Sequence, residues 1–346
     1  MRYTNEKIAC EIHNGGCSRR RYFVRRMTAL LLALSMTAFV FSGCGSLKYD
    51  MDYQTAANVS SFNVTVGKES GLATPFAADL CVVSGDIDSD TVDMTKAEAA
   101  VLFDLSGKEV LYSKNAHEKL YPASLTKVMT ALVALQNGSL DQTLTATDAV
   151  KITESGAQLC GLKTGDTMTL DQALHILLMY SANDAANLIA ENIGGSVEHF
   201  VEMMNAEAKR LGATNTNFVN AHGLTDEKHY TTPYDLYLIF SEAIKYETFS
   251  EIIQMTSYQT TYYDAKGKAK EVSYGTTNRF LKGDFQAPSN VNIIGGKTGT
   301  TNAAGHCLIL LSRNAQGAPY ISVILKAETN DDVYRQMTDL LDEINN

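Results

Sequence analysis

The chain has 346 residues, 45% of them apolar, enough to bury one large core or two small ones. Its formal net charge of −10 leaves no electrostatic footprint for nucleic acid. There are six cysteines but no pair at zinc spacing and no His-Glu-x-x-His string, so nothing calls for a metal or another cofactor.

Arg19, Arg20, Arg21, Arg25 and Arg26 precede a charge-free apolar run from Met27 to Phe41, the basic and apolar regions of an export signal. A retained membrane anchor is the alternative, although the run is short for a bilayer span. It ends at Phe41-Ser-Gly-Cys44-Gly, which resembles the lipobox of bacterial lipoproteins, where the cysteine becomes the lipidated first residue. A phenylalanine three residues before that cysteine is an unusual choice. Residues 1–43 thus read as a signal of lipoprotein type, and residues 44–95 as a tether with one short strand at Leu80–Val83. Removing residues 1–43, with seven basic and two acidic side chains, takes the formal charge from −10 to −15. Beyond Cys44 only Cys81, Cys160 and Cys307 remain; they allow at most one disulfide and read as small buried apolar side chains.

Order is expected from near Ala99, within a domain spanning 96–346. Ala100–Asp104 and Glu109–Tyr112 flank Ser-Gly-Lys and read as a hairpin. A helix follows over Thr126–Leu135, and a second is opened by Thr169. Ala185–Asn192, Val197–Leu211 (with Gly212 as its C-cap) and Thr232–Ile244 complete a helical lobe over about 116–245. Tyr258–Tyr263 and Glu271–Tyr274 suggest a second hairpin around Asp264-Ala-Lys-Gly267. Near the end, His306–Ser312 and Tyr320–Lys326 are β-branched apolar runs, and Val333, Met337, Leu340, Leu341 and Ile344 share one face of a last helix. The pattern implies an α+β fold whose antiparallel sheet is assembled from both ends of the domain and flanked by helices, with a mostly helical lobe inserted.

Three short strings occur in the order an acyl-transfer site needs: Ser124-Leu-Thr-Lys127, Ser181-Ala-Asn183 and Lys297-Thr-Gly299. Each core is weak alone, since a Ser-x-x-Lys arises by chance about once in a chain of this length. Context selects them. Ser124 stands at a helix start, with Lys127 one turn on along the same face. A serine needs a base to remove its proton, and a lysine becomes one only when burial or neighbouring cations lower its pKa. The apolar helix from Val128 to Leu135 favours that burial. Ser181 and Asn183 fall in a polar break between apolar helices, the other Ser-x-Asn copies at Ser61, Ser113 and Ser312 do not. Lys163-Thr-Gly165 runs into a helix start at Asp166 and reads as a decoy, whereas Gly295-Gly-Lys297-Thr298-Gly299-Thr300 leads into a strand pair, where its glycines permit close backbone approach.

With its flanks, the chain resembles the serine-type D-alanyl-D-alanine carboxypeptidases, the low-molecular-mass penicillin-binding proteins of the β-lactamase/DD-peptidase superfamily. The likeness runs from about Ala99 onward and includes Tyr121-Pro-Ala-Ser-Leu-Thr-Lys-Val-Met, Asn220-Ala-His-Gly-Leu224 and Thr277-Asn-Arg-Phe-Leu281. The resemblance implies Ser124 as nucleophile, Lys127 as its base, and Ser181 with Lys297 returning a proton to the leaving D-alanine. It further implies Asn183, Lys297, Thr298, Gly299 and Thr300 as substrate contacts, with the N–H groups of Ser124 and Thr300 as an oxyanion hole. The implied partners are a peptidoglycan stem ending in D-Ala-D-Ala, β-lactams as inhibitors and, through Cys44 or an uncleaved segment, the membrane at the outer face of the cell. No C-terminal β-domain or amphipathic anchor is expected after the catalytic domain. An arginine for the substrate carboxylate does not align; Arg279 and Lys326 are candidates. His222 and His229, and the pair Met179 and Tyr180, read as structural. A class A β-lactamase is the enzymatic rival, but the Glu-x-x-Leu-Asn string it needs is absent and Ser-Ala-Asn replaces Ser-Asp-Asn. A non-catalytic cell-wall-binding lipoprotein of the same fold is the other alternative.

Overall fold

A computed structural model describes residues 80–345. The export signal, Cys44 and the tether up to residue 79 lie outside the described residues.

Strands β1 (Ala97–Asp104) and β2 (Glu109–Lys114) form the first hairpin, and a 3-10 turn over Ala123–Leu125 leads into α1 (Thr126–Asn137). Short strands β3 (Thr143–Thr145) and β4 (Thr167–Thr169) precede α2 (Leu170–His175). Next come α3 (Asn183–Gly194), α4 (Val197–Arg210), α5 (Pro233–Ala243) and α6 (Glu247–Ile253). The hairpin β5 (Ser257–Tyr263) and β6 (Ala269–Gly275) and the one-turn α7 (Arg279–Lys282) follow. Three long strands, β7 (Val291–Thr301), β8 (Gly305–Asn314) and β9 (Pro319–Ala327), and α8 (Asn330–Asp342) complete the chain.

The main sheet has the order β2-β1-β9-β8-β7, antiparallel throughout, so strands from both ends of the domain pair directly, as in Val101 opposite Val323. Its central strands are covered on both faces. Ala99, Val101 and Phe103 of β1 join the large core shared with α1 and α5, while Ala100 and Leu102 face the core built on Val333, Met337 and Leu340 of α8. Double coverage explains why these strands read as unbroken apolar runs rather than alternating ones.

Helix starts follow local capping chemistry. The Thr169 hydroxyl accepts from the Gln172 amide, and the Gln172 side chain accepts from the Thr169 amide, a closed capping box. Thr232 accepts from Asp235, with Pro233 in the first turn, where its missing N–H has no partner to lose.

Four expectations change. Leu80–Val83 is not a strand, and residues 80–95 pack on the domain: the Cys81 amide donates to the Tyr237 hydroxyl, the Tyr234 hydroxyl donates to the Cys81 carbonyl, and Ile87 bridges to Ser113. A second sheet, β3-β4-β5-β6, stands beside the helices, and the lobe extends past 245 through α6. Asp166 leads into β4 rather than straight into a helix. Cys160 is only half buried, while Cys81 and Cys307 are buried as expected, and all three are free thiols. Among the described residues no helix is long and apolar enough to cross a membrane.

Candidate active site

The site begins at a strained bend. Ala123, immediately before Ser124, has φ of 48°, a left-handed conformation that an alanine adopts only when its surroundings impose it. Thr126 Oγ1 donates to the Ala123 carbonyl at 2.8 Å. His229 Nδ1 accepts from the Val219 amide, so Nε2 carries the proton and donates to Thr126 Oγ1 at 2.8 Å. Burial pushes the His229 imidazole down to about 4, which keeps it in that neutral donor form. Gly223, with φ of 89°, closes on the bend from the other side; a Cβ there would lie 1.9 Å from the Ala123 carbonyl oxygen.

From the bend, α1 carries Lys127 inward. Its Nζ lies 2.8 Å from Ser124 Oγ, 2.7 Å from Asn183 Oδ1 and 2.6 Å from the His222 carbonyl oxygen. A neutral amine has two N–H bonds and one lone pair. In that neutral form, with Asn183 and His222 accepting the two hydrogens, the lone pair is left for the serine hydroxyl. Lys127 is fully buried, and desolvation, then the nearby Lys297 charge, hold its pKa well below the ordinary lysine value.

Ser181 reaches the cleft through a second irregularity. Helix α2 continues into a π-helical turn over Ile176–Tyr180, which ends at Ser181 with φ of 68°. This bend separates α2 from α3 and lets Ser181 and Asn183 face the same space. Ser181 Oγ accepts from Lys297 Nζ at 2.9 Å, and Lys297 also donates to the Thr298 carbonyl. Lys297 is buried without a carboxylate partner among the described residues, and desolvation pushes it down to about 7. Strand β7 is the edge of its sheet and runs against the bend: a Cβ on Gly299 would meet the Pro122 carbonyl oxygen at 3.0 Å and the Ser124 amide nitrogen at 3.1 Å, so a side chain there would press on the backbone that carries Ser124.

These elements enclose a cleft of about 370 Å³ lined by Ser124, Ser181, Asn183, Thr298, Gly299 and Thr300. Lys127 and Lys297 lie just beneath its surface. The three motifs therefore converge, and the Lys163-Thr-Gly165 copy forms a turn that does not line the cleft. Sequence reasoning missed other parts of the wall: Ala157, Gln158, Thr277 and Tyr334 also line it, and Thr277 Oγ1 lies 2.6 Å from Thr298 Oγ1. Tyr180, read as core, lines the cleft as well and packs on Tyr274, while Met179 is buried as expected. Neither cation considered for a substrate carboxylate lines the cleft. Arg279 is paired with Asp331 at 2.7 Å and lies over the Phe285 ring, and Lys326 faces Glu98. His222 and His229 are structural in their side chains, yet one holds Lys127 by its carbonyl and the other holds the bend.

A nucleophile with a desolvated amine at hydrogen-bond distance, and a second lysine–serine pair across one cleft, constitute an acyl-transfer constellation. Comparison with known proteins agrees. Residues 87–329 match the family described as D-alanyl-D-alanine carboxypeptidase, and the chain belongs to it. It is 36% identical over 254 residues to D-alanyl-D-alanine carboxypeptidase DacF of Bacillus subtilis, covering 71% of this chain and 61% of that protein. It is 32% identical to D-alanyl-D-alanine carboxypeptidase DacC of Escherichia coli, covering 74% of this chain and 61% of the relative. The chain thus spans less than two thirds of the length of these two relatives. Among solved structures, a Streptomyces DD-transpeptidase superposes with a TM-score of 0.66 at 28% identity, covering 72% of this chain and 96% of that one. The fold is that of the penicillin-binding DD-peptidases.

Proposed function

We propose that the protein is a serine D-alanyl-D-alanine carboxypeptidase that removes the terminal D-alanine from peptidoglycan pentapeptide stems and is acylated by β-lactams. The observation that carries this reading is the fully buried Lys127 Nζ at 2.8 Å from Ser124 Oγ, held also by Asn183 Oδ1 and the His222 carbonyl oxygen.

Ser124 Oγ attacks the carbonyl carbon between the two D-alanines, and its proton passes to the lone pair of Lys127. The developing oxyanion is held by the N–H groups of Ser124 and Thr300. The substrate backbone lies along the β7 edge, with Asn183 and Thr298 as polar contacts and Gly299 permitting the approach. Ser181, supplied by protonated Lys297, gives a proton to the departing D-alanine nitrogen. The proton held by Lys127 passes across the cleft to the now neutral Lys297, restoring both amines. Water then takes the path of the leaving group, Lys127 removes its proton and returns it to Ser124 Oγ, and the ester is hydrolysed. With no arginine among the described residues lining the cleft, the substrate carboxylate is held by Lys297 and the Thr298 and Thr300 hydroxyls. Under the same reading residues 1–43 export the chain, Cys44 carries lipid at the outer face of the membrane, and 96–346 act as the catalytic domain.

The test is intact mass after incubation with benzylpenicillin, alongside D-alanine release from a D-Ala-D-Ala peptide. A lasting adduct and D-alanine release by the wild type, both absent in Ser124→Ala, are the expected result. Turnover of the drug without an adduct would favour a β-lactamase, and neither adduct nor turnover would favour a non-catalytic wall-binding protein.

A further inference from the structure

One buried anion beside the site has no part in the chemistry above. Asp184, in the first turn of α3 next to Asn183, is 1% exposed. No lysine, arginine or histidine among the described residues forms an ion pair with it. Its carboxylate accepts instead from three successive backbone amides, those of Cys160 at 3.0 Å, Gly161 at 2.8 Å and Leu162 at 3.0 Å. The Cys160 thiol donates to it at 3.2 Å, and the Ala185 amide at 3.1 Å. Gly161 has φ of 86°, the left-handed conformation that lets consecutive amides converge on one anion. Two residues upstream the Gln158 carbonyl accepts from the Asn183 amide at 2.8 Å, and Gly156, Ala157 and Gln158 line the cleft.

We propose that Asp184 is a positioning residue for acyl transfer: its carboxylate fixes the 156–162 loop as a wall of the cleft and sets a compensating negative charge near Lys127. This deepens the carboxypeptidase reading and rests on it. The loop has no regular secondary structure of its own; the amide clamp and the Asn183 bond tie its cleft-lining end to the helix that bears Asn183, with Leu162 packed in the core beside them. The charged and titratable groups around Lys127 are Lys297 from β7, Asp184 from α3, and His222 and His229 from the loop after α4. Lys297 disfavours a proton on Lys127, the two histidines are neutral by burial, and Asp184 alone favours it.

Two variants separate the two parts. Asp184→Asn removes the charge and turns an amide N–H₂ toward backbone donors, so it disturbs both. Gly161→Ala meets no atom within 4 Å but resists the left-handed conformation, so it disturbs the loop and leaves the charge in place. Acylation by benzylpenicillin is followed against pH, with KM and kcat for a D-Ala-D-Ala peptide. For Asp184→Asn the expected result is a KM raised at least tenfold and an acid limb displaced to lower pH, because Lys127 loses the charge that favours its proton. Gly161→Ala is expected to raise KM without displacing the limb. A folded Asp184→Asn protein with the wild-type limb and KM overturns the proposal, as does one that loses only melting temperature. If Asp184→Asn fails to fold, Gly161→Ala with unchanged KM overturns it alone. Wild-type protein that neither binds penicillin nor releases D-alanine would instead overturn the functional reading itself.

Discussion

At the scale of single residues, the site depends on two lysines kept out of water. In the proposed mechanism Lys127 acts as a base only while neutral, and arginine, with a pKa above about 12, cannot take its place. Lys127→Arg is therefore expected to lower the acylation rate by about 10³-fold while the protein still folds, measured by stopped-flow or intact mass with benzylpenicillin. Lys297 illustrates the other side of burial. It is pushed to about 7 in the folded protein, against an ordinary 10.5. Between those values the unfolded chain binds more protons, so stability rises with pH across that window, and the penalty is fully present below it. Lys297→Met is thus expected to raise the melting temperature at pH 6, to gain progressively less toward pH 10, and to abolish D-alanine release. Melts across pH check this; an equal or lower melting temperature at pH 6 would mean that the bonds to Ser181 and Thr298 outweigh the buried charge. Residue types and spacing made Ser124, Lys127, Ser181 and Lys297 legible in the sequence. The His222 carbonyl on Lys127 was not, because a backbone oxygen leaves no trace in residue identity, and Asp184 resembled any acidic residue in a helix's first turn.

At the scale of elements, irregular backbone does the aiming. The bend at Ala123 and the π-helical turn before Ser181 each point a hydroxyl that a regular helix would direct elsewhere. Gly223 lets the loop close on the first bend, and an added Cβ would press on backbone that cannot yield. Gly223→Ala is expected to destabilise by several kcal/mol and to slow acylation, since the bend must shift. Gly267, at the β5–β6 turn with φ of 76° and open space around it, is the control. Gly267→Ala is expected to lose only about 1 kcal/mol, the strain of a left-handed alanine, with acylation intact. Denaturant unfolding with penicillin acylation distinguishes the pair. Most helices were legible because caps and apolar spacing are local. The π-helical turn was not, since the apolar run from Ile176 to Met179 suits either helix, and the tertiary bond from the Thr277 amide to the Met179 carbonyl joins it to the cleft wall.

At the scale of the whole molecule, the sheet assembled from both ends was legible because apolar runs bracket a helical middle. The second sheet was not: β3 and β4 are three residues each, pair with each other across more than 20 residues, and meet the distant β5–β6 hairpin through Thr167 and Tyr263. Residues 80–95 looked like a tether because their partners, Tyr234 and Tyr237, lie some 150 residues away. The pairing of β1 with β9 has a consequence in time. Strand β1 can find one of its two neighbours at once, but the other is separated from it by more than 200 residues, as between Ala100 and Ile324. Such long-range closure is slow compared with forming helices and hairpins. A chain still emerging carries its serine from early on, yet lacks Lys297 and the edge that would receive a substrate until its last strands arrive. Under the proposed mechanism reactivity therefore switches on late, because the cleft is incomplete until those strands have paired.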